Sequence, residues 1–236
     1  MREEPSHGEH PGKALRELPG VPESRLVPDI ASRLPAATPP PPWTATVDAV
    51  LWTHRATAAA STELPPGVRG RRVLRFAIAG FLRYRGTPVG AYDELLASPT
   101  LVRGGLWRLH VPLIAVDSLA SLHAGRAHWA LPKMLAEFSG APAASRCVDA
   151  RGPGWSMHAG VTAHGPTVPA WMRVSLAQVR STGEVVTCSA TFRGPVQLAR
   201  VQVAVSESAS FAGWLRSGSH LGVLLRGVRM RLNRAR

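Results

Sequence analysis

The sequence is short of cysteine, lysine and acid, and each shortage narrows what the chain can be. Two cysteines in 236 residues, Cys147 and Cys188, are too few for a disulfide framework and lack metal-ligand spacing, so free thiols are expected. No stretch reaches the roughly 18 uninterrupted apolar residues of a membrane-spanning helix. The nearest, LHVPLIAVDSLASL, is broken by Pro112 and Asp117. The N-terminus lacks the basic-then-apolar pattern of a secretory signal, which makes a cytoplasmic protein the expectation. Nine histidines are dispersed, with no HExxH and none beside a cysteine pair, so no metal site is expected. GPGWSMHAG (152–160) is G-x-S-x-H and lacks the second glycine of a nucleophile elbow, so it reads as a loop entering a strand.

Acid is scarce enough to leave a formal charge of +13. The first 42 residues hold five basic and six acidic residues, so the excess belongs to the remainder. Such a field attracts anions at low salt. The basic residues are scattered apart from RGRRVLR (69–75) and the acid-free stretch from Arg216 to Arg236, and no zinc-finger spacing or RNA-binding signature accompanies them. No specific nucleic-acid partner is expected.

What is present falls into three parts. Residues 1–42, with PGVPES, LVPDI and TPPPPW, read as a proline-rich flexible arm, in which KALRELPG can form one helical turn. Residues 43–218 are rich in β-branched and aromatic residues in alternating runs, among them TATVDAVLWTHRA, RVLRFAIAGFLRYR, GEVVTCSATFRG and LARVQVAVSES. Glycine and proline separate these runs, as expected of a mainly β domain. Short helices are expected over AYDELLAS (91–98), over VDSLASLHAGRAHWAL with Asp117 or Ser118 as N-cap, and over SASFAGWLRSG (208–218). Residues 219–236 read as a basic C-terminal tail, in which VRMRLNR is an edge strand or a solvated end.

Lys133 is one of two lysines among 28 basic residues and sits in the apolar run GRAHWALPKMLAEF. An amine can lose its proton and act as a nucleophile; a guanidinium with a pKa above about 12 cannot. Trp129, Leu131, Met134 and Phe138 around it can desolvate that amine.

Three segments carry a resemblance. LPPG (64–67), GAYDE (90–94) and GRAHWALPK (125–133), in that order, resemble the proline-glycine turn, Gly-x-Tyr-x-Glu segment and Gly-Arg-x-x-aromatic-x-x-Pro-Lys segment of the acetoacetate decarboxylase-like family. The resemblance spans about Trp43 to Ser210. It implies a mainly β, α+β fold: a cone-shaped, double-layered β-barrel with a few short helices around an apolar cavity. It also implies that Lys133 is a Schiff-base lysine and Glu94 an active-site glutamate. Arg126, Tyr92, Met134, Trp129 and Arg55 are the substrate-binding candidates. The residue types themselves favour a structural Arg126, paired with Asp117 or a carbonyl, and a packed Tyr92 with a hydrogen-bonded hydroxyl.

Two departures stand out. Met134 occupies the place of a second lysine, which removes a local cation, and RVLRFAIAGFLRYR lacks the family's second carboxylate. The expected activity is decarboxylation of a small β-keto acid through a lysine imine, with no metal or organic cofactor and an anionic keto acid as partner. The alternatives are another imine-forming reaction of aldolase or dehydratase type, or a non-catalytic small-molecule binder. The resemblance also implies a homo-oligomer.

Overall fold

The computed structural model describes residues 15–104 and 106–236. Thirteen strands dominate. The long ones are β1 (Trp43–Arg55), β3 (Phe76–Thr87), β4 (Gly90–Ser98), β11 (Trp155–Val179), β12 (Val185–Val205) and β13 (Gly218–Leu232). The short ones are β2 (Arg72–Leu74), β5 (Leu101–Gly104), β6 (Leu106–Leu109), β7 (Leu113–Val116), β8 (Lys133–Leu135), β9 (Glu137–Gly140) and β10 (Cys147–Gly152). Apart from the helical Leu15 and Arg16, helix among the described residues is confined to α1 (Pro28–Ser32), α2 (Pro66–Arg69), α3 (Leu119–Trp129) and three 3₁₀ turns.

The pairings run round a ring. From β11 they pass through β12, β13, β1, β3, β4 and β7 to β8. Strands β8 and β9 are separated by Ala136 alone, whose N–H donates to Val116. β9 pairs with β10, and β10 returns to β11. Strands β6, β5 and β2 extend from the far half of β11 as a flap.

Side chains alternate between the two faces of a strand, so each ring strand feeds two cores. Trp52, Ala79, Phe81, Leu95, Leu113, Ala115 and Met134 belong to the first. The intervening residues Val47, Ala49, Leu82, Tyr84, Tyr92 and Val116 belong to the second, which α3 joins through Leu122. Trp43, Ile114, Ala124 and Trp129 form a third beside it.

Several expectations are corrected. AYDELLAS is strand β4, not a helix: it pairs with β3 on one side and β7 on the other, and it buries Tyr92, Glu94, Leu95 and Ala97. SASFAGWLRSG supplies only a 3₁₀ turn over Ser210–Gly213. The expected basic tail is β13, an interior strand between β1 and β12. Its alternation in VRMRL buries Val228 and Met230 and leaves Arg229 and Arg231 outside. β12 runs through Pro195 as one strand, with a register shift between Arg193 and Val196 against β13. Proline is tolerated at such a bulge.

Of the expected flexible arm, residues 1–14 lie outside the described residues, and Leu15 and Arg16 are helical. Further along the arm, Val21 and Leu26 are buried, and the Val21 N–H donates to Pro112.

Candidate active site

Strands β7 and β8 are parallel, with Ile114 opposite Lys133, and α3 is the crossover between them. Local sequence sets both ends of that helix. The Ser118 side chain accepts from the Ser121 N–H at 3.2 Å as an N-cap. Ala130 at the C-cap is left-handed at φ 52°, and Pro132 prevents further helix. The chain thus turns sharply and begins β8 at Lys133.

The Lys133 side chain passes over Gly125 of α3. A Cβ there would lie 2.5 Å from Lys133 Cδ, so the absence of a side chain at 125 is what admits the lysine. Its Nζ donates to Glu94 Oε2 at 2.7 Å and to Ser121 Oγ at 2.9 Å. Nζ also lies 5.0 Å from the centre of the Tyr92 ring. The Tyr84 hydroxyl donates to the other Glu94 oxygen at 3.1 Å. Tyr84 and Tyr92 face each other across β3 and β4 and stack with centroids 4.7 Å apart.

Lys133 and Glu94 are both buried, with side chains 5% and 4% exposed. Each partner answers the other, and Nζ and both Glu94 oxygens have hydrogen-bond partners, as a buried pair requires. Burial, and after it the Glu94 carboxylate, holds both tyrosine hydroxyls well above their usual range, so they stay protonated donors. Tyr92 also hydrogen-bonds Ser121.

The group lies in the wall of a cavity of about 310 Å³. The rest of the lining is largely apolar, including Leu82, Leu96, Ile114, Trp129, Phe192 and Met230. Strand β11 brings Arg173 to its lining. Trp129 donates its indole N–H to the Asn233 carbonyl at 2.8 Å and meets Trp43 edge-on. Both rings face the cavity.

The structure separates the other expected residues from this group. Arg126 is buried and spends its guanidinium on three carbonyls: Lys133 at 2.7 Å, Leu15 at 2.6 Å, and Ser24. Burial lowers its pKa to about 10. It ties the arm to the base of β8 and does not line the cavity, which corrects its candidacy for a substrate carboxylate. Arg55 is exposed at the end of β1, also outside the lining. Met134 points into the first core, away from Lys133. Ser121, Tyr84 and Gly125 were not among the expected residues. Tyr84 comes from the very strand noted for lacking a carboxylate, and it brings a hydroxyl to Glu94 instead.

No candidate metal cluster occurs among the described residues, and no described helix is long and apolar enough to cross a membrane.

The site is thus a buried lysine paired with glutamate in the wall of a largely apolar cavity, on a mainly β frame. No family model matches the sequence, and no curated protein matches it. Solved structures do. The enduracididine biosynthesis enzyme MppR complexed with pyruvate is 15% identical, with a TM-score of 0.59 over 85% of this chain and 91% of its own. The same enzyme with the condensation product of pyruvate and imidazole 4-carboxaldehyde is 17% identical, with a TM-score of 0.55 over 84% and 89%. Acetoacetate decarboxylase from Legionella pneumophila is 13% identical, with a TM-score of 0.55 over 86% and 92%. The chain has the acetoacetate decarboxylase-like fold.

Proposed function

We propose that this protein is an imine-forming enzyme that decarboxylates a β-keto acid with an apolar body, using Lys133 as nucleophile. The observation that carries the reading is the buried 2.7 Å contact between Lys133 Nζ and Glu94 Oε2 in the cavity wall. Transfer of the shared proton to Glu94 leaves a neutral amine and a neutral acid, a state that a low-dielectric site tolerates. The amine attacks the keto carbon, and loss of water gives a protonated imine.

The bond to the carboxylate then breaks. Its electron pair enters the imine, releasing CO₂ and leaving an enamine. Glu94 gives up its proton as water leaves, takes another from solvent and delivers it to the enamine carbon directly or through water, and hydrolysis of the resulting imine releases the ketone and restores Lys133. The apolar wall favours the bond-breaking step, because a carboxylate and an iminium are replaced by two neutral products. Tyr84 and Ser121 orient Glu94 and Lys133. The walls set the substrate class: 310 Å³ of largely apolar space suits a keto acid with a hydrocarbon or aromatic substituent.

A second reading is carbon–carbon condensation through the same imine. It is favoured by the likeness to MppR, whose structure holds a pyruvate condensation product. CO₂ release from a series of 3-oxo acids of increasing chain length distinguishes the two. Decarboxylation predicts turnover that improves with substituent size and vanishes in Lys133→Arg. Lys133-dependent consumption of pyruvate and an aldehyde without CO₂ establishes the second reading instead.

A further inference from the structure

On the sheet face opposite the cavity, one row of residues crosses five strands. Trp171 of β11 is in register with Arg193 of β12, and Arg193 with Arg229 of β13. Arg229 is opposite Thr46 of β1, and Thr46 opposite Arg85 of β3. Arg231 follows two residues after Arg229, on the same face. These side chains line a shallow groove of about 470 Å³.

The row is electrostatically incomplete. Arg193 and Arg229 directly oppose each other and have no hydrogen-bond or ion-pair partner among the described residues. Like charges in that arrangement destabilise a sheet. Arg231 donates only to the side-chain Oδ1 of Asn233, at 3.3 Å, among the described residues. The Asp48 carboxylate is taken up by Arg85 at 2.8 Å and by the Gly227 N–H. Trp171 is 67% exposed at the end of the row and offers a flat apolar surface.

We infer that this groove binds a nucleoside di- or triphosphate. Guanidinium forks match phosphate oxygens, and several arginines in a short space call for a compact ligand of multiple negative charge. At about 4.8 Å between strands the row extends on the order of 19 Å, the span of one nucleotide with its phosphate chain and not of a long strand. The indole supplies a stacking platform for the base. Thr44, Thr46 and Thr191 add hydroxyl donors to the same groove.

Calorimetric titration of the full chain at low salt with ATP, tripolyphosphate, adenosine and oligo(dT) of increasing length tests this. ATP is expected to bind one to one, tripolyphosphate at least about 5-fold more weakly because it cannot stack, and adenosine not measurably. Trp171→Ala should lose the ATP preference. Arg193→Gln with Arg229→Gln should weaken ATP at least about 10-fold. That variant should also melt higher than the parent without ligand, since a repulsion is gone. Absence of ATP binding, equal affinity for ATP and tripolyphosphate, affinity growing with oligonucleotide length, or indifference to the arginine pair would each overturn the inference.

Discussion

Lys133 and Met134 are consecutive residues whose side chains lie in different cores. Lys133 meets Glu94 on the cavity face, whereas Met134 packs in the first core beneath the strand. A lysine at 134 would therefore place its ammonium among apolar side chains, away from the Lys133 amine. Met134→Lys is expected to destabilise the protein by several kcal/mol without raising the reactivity of Lys133. Urea unfolding and the rate of amine modification measure the two effects. A stable variant with a faster amine would show that residue 134 tunes its neighbour.

Glu94 holds Lys133 Nζ at 2.7 Å, and the proposed mechanism assigns it the movement of the amine's proton. Glu94→Gln keeps the shape but leaves a buried ammonium unpaired, for which destabilisation of about 3–5 kcal/mol is expected. Turnover should fall roughly 10²–10⁴-fold if the carboxylate serves as acid and base. Lys133→Met combined with Glu94→Gln should recover most of the stability and none of the activity, measured by denaturant melts and CO₂ release.

Gly125 yields a test whose sign is informative. In an unconstrained helix, Gly→Ala stabilises by about 1 kcal/mol. Here the added Cβ would meet the Lys133 side chain, whose end is held by Glu94 and Ser121. Gly125→Ala is expected to lose about 1–3 kcal/mol through overpacking and to slow imine formation. A higher melting temperature with unchanged chemistry would contradict the contact.

His110 governs an acid transition away from the cavity. It is fully buried, its Nδ1 bonds to the Ala177 carbonyl at 2.9 Å, and its Nε2 has no partner among the described residues. Burial lowers its pKa to about 4, from an ordinary value of 6.5. The unfolded chain takes up this proton first, so the contribution to stability is fully present above pH 6.5. It declines as the pH falls towards 4, by up to about 3 kcal/mol. His110→Asn should flatten the dependence of unfolding free energy on pH in that interval. An unchanged slope would place the titration elsewhere.

Much of the frame was legible because alternation, Gly and Pro clusters and the Ser118 cap are local signals. AYDELLAS misled because Glu, Leu and Ala favour helix intrinsically, while pairing on both edges overrode that preference. The arginines of VRMRL resembled a solvated end because their alternation does not reveal that both neighbouring strands are supplied from far along the chain. Lys133 and Glu94 stood out in the sequence, and the fold brings them together. Ser121 and Tyr84 carried no such mark, being ordinary residues whose partners are set by tertiary placement. Arg126 was visible as a conspicuous arginine, but only the packed arm supplies the carbonyls that occupy it.

Borohydride trapping with mass mapping examines the imine most directly. The protein is incubated with a series of 3-oxo acids and with pyruvate, reduced, and digested. A reduced adduct on Lys133 is expected with at least one of them, absent in Lys133→Arg and diminished in Glu94→Gln. Turnover of a keto acid with no adduct at Lys133, or an adduct that persists in Lys133→Arg, would contradict the assignment of Lys133 as the nucleophile.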